Sequence, residues 1–509
     1  MKYLSELVEL LGTGPAGRAS ERKRNTQVRT LLEFLRTNED ATAEEAARVV
    51  GLSASSSAFR KLKHASKLEL INRLSAVGMT DGKTDLRNRK YNYVWKLIVI
   101  GKQLRTSISS EVLLPFLEEA YRIAESRHFY HAAYEASTML RRQYNNRKFE
   151  PAKYTYYRDR ALHYRELSRA YHDVVSDLNE IFYLRNSRED NGVIRRAASE
   201  AYERRKHLIE LHDVATISYI VYLIELNIHL ADNDYVRVIA VANQAIAYLQ
   251  QKPDAQPPMF QVFEANLSVA YMQRNDYANG MSFAERLLAK TGPRDHNYIK
   301  VYELMLVLSL RAQRFQQAYE LYCSVSPTAL SRNLPAYYYE TFRIIKAYLY
   351  LLVRLQQIRT RPDDQTFTNF RIRRFLNSFE YAATEKSHRN VHLLIIEIVD
   401  NIISRRHSQV AYSLEAVGKY AQRHLRDRGH ERVRYFLKAL GQLSAQRFHR
   451  AAVERHTERY LKLLDKHPLA ESQLDYYMEL IPYEVLWSLI LEQLGYKRVR
   501  TSSRRGTKN

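Results

Sequence analysis

A short polar turn followed by an aromatic residue recurs along this chain and restricts what it can fold into. Asp232-Asn233-Asp234-Tyr235, Arg274-Asn275-Asp276-Tyr277, Ala312-Gln313-Arg314-Phe315 and Ala445-Gln446-Arg447-Phe448 share the pattern. Three positions beyond each aromatic stands a small or aliphatic residue: Val238, Gly280, Ala318 and Ala451. The step is 42 residues from Tyr235 to Tyr277 and 38 from Tyr277 to Phe315. Self-similarity at this period predicts stacked helix–turn–helix units, each burying itself on its neighbours. Such a stack also suits a chain of 509 residues, too long for one compact core. Only 15 glycines and 12 prolines interrupt it, which favours helices over many short strands. The expected fold is all-α: an α-solenoid of helix pairs with a small N-terminal helical region.

The lone Cys323 excludes a disulfide within the chain and any cysteine-based zinc site. A reducing cytoplasm is the expected location. Glu6 and Glu9 interrupt the apolar N-terminal stretch, which a secretory segment would not tolerate. Apolar runs such as 347–353 fall far short of a bilayer span. The formal charge of +23, from 79 basic and 56 acidic residues, draws the chain towards anionic partners: nucleic acid, an acidic protein or a membrane surface. The plainer alternative is that Arg and Lys solvate the outer helix faces. The 38 tyrosines suit rings packed between helices with hydroxyls at the rim.

Organisation follows from periodicity. Residues 1–105 read as a basic helical region, 106–497 as the helical repeats (clearest over 216–326), and 498–509 as a disordered basic tail. Leu4, Leu7, Val8 and Leu11 predict a short amphipathic helix. Gly12-Thr13-Gly14-Pro15-Ala16-Gly17 matches a dinucleotide-binding pattern literally, but no strand precedes it, so it reads as a linker. Val28, Leu31, Leu32 and Leu35 predict a helix. Thr42 and Glu45 form a capping-box pattern at the start of the next, which stops at Gly51. A further helix holds Phe59, Leu62, Leu68 and Leu70, with a break left open near His64. Residues 91–104 predict a buried helix, a strand being the alternative. A long helix is expected over 152–185, and a second from Val193 to Leu211, with Leu230 as the alternative end, to return beside it. A loop is expected at 253–258 and a longer break at 359–369, with helices resuming at Phe370.

The segment from Phe263 to Tyr277, with Gly280, Ala284 and Leu287 after it and Pro293 beyond, resembles the tetratricopeptide helix–turn–helix. Small residues let the two helices approach while Leu267, Tyr271 and Tyr277 fill the groove. The spacings exceed the usual period of about 34 residues, which implies longer helices or looser turns. The whole chain, with Lys90-Tyr91-Asn92-Tyr93-Val94-Trp95-Lys96-Leu97-Ile98 near its front, also resembles a Bacteroidetes-type group of helical-repeat proteins of similar length. That likeness implies no activity.

Ala43 to Arg60 resembles a helix-turn-helix, with Ala47, Gly51 and Leu52 suited to its tight turn. The resemblance implies that Ser55, Ser56, Arg60, Lys61 and Lys63 face bases or phosphates. Between Arg60 and Arg105 stand twelve basic and three acidic residues, an excess of nine. The second helix departs from the family pattern at Ser57 and Arg60, where aliphatics are expected. A capped helix pair docked on the repeats is the alternative.

Catalytic patterns do not emerge. His128 with His131, and His449 with His456, share approximate helix faces but have no carboxylate to complete a metal site. Glu44-Glu45 and Glu118-Glu119 are adjacent and point to different sides of a helix. The sequence therefore predicts a non-enzymatic intracellular scaffold without cofactor or metal, gripping a protein or peptide through Asn266, Tyr271, Arg274, Tyr298 and Tyr302. The alternative is a DNA-binding regulator whose repeats sense or dimerise.

Overall fold

The computed structural model describes residues 26–38, 41–77, 86–104, 110–187, 189–293, 295, 297–326, 336–379, 388–425, 430–469 and 478–494. These residues hold 22 helices and no strand, the all-α class expected from the scarcity of breakers. None of the described helices is long and apolar enough to cross a membrane. The expected helix over 1–11, the linker at 12–17 and the tail from 498 lie outside the described residues. The chain divides into two compact units, 1–175 and 176–509.

In the first unit, α1 (Thr26–Thr37) buries Val28, Leu31, Leu32 and Leu35 along one stripe. α2 (Ala43–Val49) opens with the expected capping box: the Thr42 side chain accepts from the Glu45 amide, and the Thr42 amide donates to Glu45 Oε2 at 2.8 Å. The helix closes at Gly51, whose φ of +69° permits the Gly51 and Leu52 amides to reach the Arg48 and Ala47 carbonyls. α3 (Ser57–Val77) runs unbroken through His64. The three helices close on one core that includes Leu31, Leu35, Ala47, Phe59 and Leu62. α4 (Leu86–Leu104) resolves the helix-or-strand ambiguity in favour of the helix. It packs on α5 (Ser110–Ser126), which packs on α6 (Tyr130–Asn146). α7 (Pro151–Asn186) carries the chain past residue 175.

Tyrosines seal this unit. The Tyr121 ring meets those of Tyr157 and Tyr164 edge-on at 5.3 and 6.3 Å. The hydroxyls of Tyr121 and Tyr164 gather on one ion pair, Glu125 with Arg160. Tyr121 donates to Glu125 at 2.7 Å, while Arg160 donates to Tyr121 at 2.9 Å and to Tyr164 at 2.8 Å. Burial pushes the Tyr164 hydroxyl up to about 12 and the Tyr121 hydroxyl higher still.

The second unit corrects one expectation at its start. The long helix from Val193 is three helices: α8 (Asn191–Arg205), α9 (Leu208–His212) and α10 (Ala215–Ala231). Asp213 adopts φ 52° and ends α9, and its carboxylate accepts from Tyr248 at 3.0 Å. At the C-terminal end of α8, Arg204 and Arg205 both donate to Asp177, at 3.2 and 2.8 Å.

Three hairpins follow: α10 with α11 (Tyr235–Gln250), α12 (Pro257–Gln273) with α13 (Tyr277–Lys290), and α14 (Tyr298–Arg311) with α15 (Phe315–Ser324). Each helix packs on the next. Their turns have one geometry. Asn233, Asn275 and Gln313 are left-handed, at φ 55°, 61° and 58°. The amide after each donates back five residues, Asp234 to His229, Asp276 to Tyr271 and Arg314 to Ser309, all at 2.9 Å. This is the Schellman closure, which satisfies carbonyls left over at a helix end. Asp234 and Asp276 then cap the second helix by accepting from the Arg237 and Asn279 amides. Gly280 supplies the expected close crossing: a Cβ there would stand 2.9 Å from Leu308 Cδ2 and 3.1 Å from the Ser268 carbonyl oxygen.

The fourth echo is built differently. Arg447 and Phe448 are both left-handed, at φ 51° and 59°, and the next helix starts only at Arg450. Phe448 stacks on the His407 ring at 4.1 Å instead of opening a helix. The extra residue shifts the register, so Ala451 is exposed and Val453 takes the buried position. The shared geometry appears instead at His128 and Arg405, φ 56° and 55°, ahead of helices starting at Tyr130 and His407.

Beyond the hairpins come α16 (Ala336–Arg354), the expected break before α17 (Ile372–Asn377), then α18 (His388–Ile403) and α19 (His407–His424). α20 (Glu431–Ala445), α21 (Arg450–Asp465) and α22 (Tyr483–Glu492) complete the unit. A buried polar line joins the hairpins to this last part. Gln273 donates to the Tyr235 hydroxyl at 3.1 Å, and Arg311 donates to Gln273 at 2.7 Å and to the Glu479 carbonyl at 3.1 Å. Glu479 in turn accepts two bonds from Arg432, at 2.9 and 2.8 Å, and Arg432 also donates to Glu484 at 2.8 Å. Two cations can remain buried here because carboxylates and carbonyls meet their donors.

Candidate functional site

Three places carry chemistry beyond packing. The first is the helix-turn-helix-like segment. Ser56 caps α3 by accepting from the Phe59 amide at 3.1 Å, and donates to the Ser53 carbonyl at 2.6 Å. Ser55 Oγ lies 3.1 Å from Ser53 Oγ. Both hydroxyls expected to face a base are thus engaged inside the turn. Arg60 and Lys61 are exposed, and Lys63 leans over the Phe59 ring at 5.1 Å. His64 and Lys67 are exposed further along, opposite the buried Phe59 and Leu62. The result is a basic stripe on one helix, suited to phosphate oxygens more than to base edges.

The second place is the surface of the hairpins. Asn266 is half-buried and donates to the Val262 carbonyl at 2.8 Å. The Tyr271 ring stacks on Phe283 at 5.8 Å, and the Arg286 guanidinium covers the Phe283 ring at 4.1 Å. Arg274 is exposed in the turn. These three expected contact residues reach solvent wholly or in part. Tyr298 and Tyr302 do not: they are 6% and 8% exposed, with ring centroids 4.8 Å apart. Every residue of α14 from Val301 to Arg311 is buried. The first helix of the third hairpin is enclosed, in part by the segment around Glu479 that receives Arg311.

The third place was not singled out from sequence. A cavity of about 390 Å³ opens between α16 and the start of α17. Its cations are Arg343, Lys346, Arg371 and Arg374, and no carboxylate lines it among the described residues. Its walls are rings, Phe370 and Phe375 (5.7 Å apart) together with Tyr322 and Tyr339. Arg343 lies 4.3 Å over Phe379 and donates to Ser378, while Lys346 lies 5.7 Å over Phe370. Burial lowers the Lys346 ammonium below the usual lysine range, and Asp364 partly opposes this. Burial alone would raise the Asp364 carboxyl, but bonds from Thr366 and Tyr319 outweigh it and hold it low. Glu340, on α16, accepts two 2.8 Å bonds from Arg389. The signal available in sequence was the interleaving of Phe370-Arg371-Ile372-Arg373-Arg374-Phe375; the opposite wall comes from residues about thirty positions earlier.

The histidine pairs are separated by the turns. His128 is left-handed in its turn while His131 is on α6, and His449 caps the helix that carries His456. No cluster of three or more His, Cys, Asp or Glu able to hold a metal ion occurs among the described residues. Cys323 is half-buried, its sulfur 3.6 Å from Thr366 Oγ1. No known family model matches the chain, and no curated protein is significantly similar to it.

Proposed function

We propose that this chain is a non-enzymatic interaction scaffold of the cytoplasm, an α-solenoid of tetratricopeptide-like repeats that holds a protein or peptide partner. The observation that carries this reading is the recurrence of one hairpin design over α10–α15: a left-handed residue at one place in the turn, an aromatic opening the second helix and a small or aliphatic residue three positions later. Repetition of that kind builds an extended face in place of a single cleft. The contact residues are Asn266, Tyr271 and Arg274, joined by Phe283 and Arg286, whose stacked rings and guanidinium offer the aromatic and arginine anchors that interfaces favour. A photo-crosslinking residue placed at Asn266, Tyr271 or Arg274 in native cells should capture one discrete partner. The same residue at Val236, exposed on α11, should not. Identical capture from all four positions, or none, rejects the scaffold reading.

The basic stripe on α3 favours a second reading, a DNA-binding regulator. Arg60 and Lys61 stand at the N-terminal turn of a helix whose opposite face is anchored by Phe59 and Leu62. Titration of duplex DNA at two salt concentrations tests it. Replacing Arg60 and Lys61 by Glu should flatten the slope of log affinity against log salt by roughly 0.9 per lost phosphate contact. An unchanged slope rejects this reading.

A further inference from the structure

We propose that the cavity between α16 and α17 is a binding site for a small organic phosphate, a phosphate monoester carried on a planar ring. The inference is independent of the scaffold reading, because it uses none of the contact residues proposed for the hairpins. Four cations converge on one cavity, and none of the described residues that line it is a carboxylate. Two described acids on the neighbouring stretches are engaged with other groups, Glu340 with Arg389 and Asp364 with Thr366 and Tyr319. Like charges held together repel, and a bound dianion relieves that repulsion. Three of the four cations are arginines, whose forked donors match the several oxygens of a phosphate better than ammonium groups do. Phe370, Phe375 and Tyr339 supply flat apolar walls on which a ring can stack. A volume of about 390 Å³ lies near the lower end for small-molecule sites, roughly 300–1,000 Å³, and suits a compound of one or two rings.

Pyridoxal 5′-phosphate is a suitable probe on the full chain. Its aldehyde condenses with the unprotonated Lys346 amine, water leaves, and borohydride reduces the resulting C=N bond to a secondary amine that peptide mapping can locate. The cavity predicts that Lys346 is labelled ahead of more exposed lysines such as Lys462, whose side chain is 70% exposed. Excess inorganic phosphate should slow that labelling, and pyridoxal, which lacks the phosphate, should label Lys346 more slowly than pyridoxal 5′-phosphate does. Arg371 and Arg374 are both exposed, so Arg371→Gln with Arg374→Gln should leave the thermal melt unchanged. The double variant should label Lys346 about tenfold more slowly, as expected for loss of two charge-assisted contacts. Labelling that merely follows lysine exposure, or a double variant that labels Lys346 as fast as the parent, overturns the proposal.

Discussion

The second and third hairpins begin with turns of the same geometry and end in opposite surroundings. Asp276 and Arg314, at matching positions, have φ/ψ of −88°/71° and −86°/61°. Yet α12 leaves Asn266 and Tyr271 half-open, while α14 is buried along its length from Val301 to Arg311. Local chemistry decides how a hairpin closes. Which of its faces stays open is decided by residues far away in sequence, here Glu479 and its neighbours. A repeat period is therefore a sound guide to how each hairpin turns and a poor one to which of its faces stays open.

The largest expected effect tests the enclosure itself. Arg432→Met leaves Glu479 buried without its main partner and should cost about 3–5 kcal/mol in urea unfolding. Arg274→Ala, in the exposed turn of the open hairpin, should stay within about 0.5 kcal/mol. Similar losses for both would mean that the buried line contributes nothing special. Next comes the crossing. Gly280→Ala gains helix propensity but drives a methyl group against Leu308 and the Ser268 carbonyl, for a net loss of about 1–2 kcal/mol. The third hairpin already accommodates Ala318 at the matching place, fully buried, so there the reverse change, Ala318→Gly, should be the destabilising one, by roughly 0.5–1 kcal/mol.

The caps should respond with opposite signs. Asp276→Ala removes the acceptor for the Asn279 amide and should lower stability by about 1 kcal/mol. Arg314 makes no side-chain cap, so Arg314→Asp should raise stability by about the same amount. Thermal melts that fail to separate the two would show that the turns are not equivalent. The smallest contrast concerns the left-handed residue. Gln313→Gly relieves a side chain held at φ 58° and should stabilise by up to about 1 kcal/mol. Asn275→Gly should gain less, because the Asn275 side chain accepts from the Tyr277 hydroxyl at 3.0 Å.

What the sequence revealed is what neighbouring residues determine among themselves. The Thr42–Glu45 box, the polar turns at Asn233, Asn275 and Gln313 and the stripe in α1 all depend on residues within a few positions of one another. The break before α10 was hidden because helical apolar spacing continues across it and the breaker is Asp213, neither glycine nor proline. The fourth echo misled because one added residue in the turn is invisible to a pattern of residue types. The site was legible only in halves. Arg60 and Lys61 were legible as exposed cations, but the engagement of Ser55 and Ser56 depends on turn geometry. Tyr298 and Tyr302 resemble Tyr271 in type, and only distant packing buries them. The basic cavity needs two walls from separate stretches, and neither wall is distinctive alone.

Arg311 finds its acceptor on Glu479 only 168 residues later. During synthesis at about 5–20 residues per second, the greasy rod that ends at Arg311 must wait on the order of ten to thirty seconds for its cover to leave the ribosome. Over that interval the nascent chain presents a sticky surface absent from the finished protein. A chaperone that holds the growing chain therefore has a natural place to act, and truncation before Met478 should convert this product from a well-behaved one into an aggregating one.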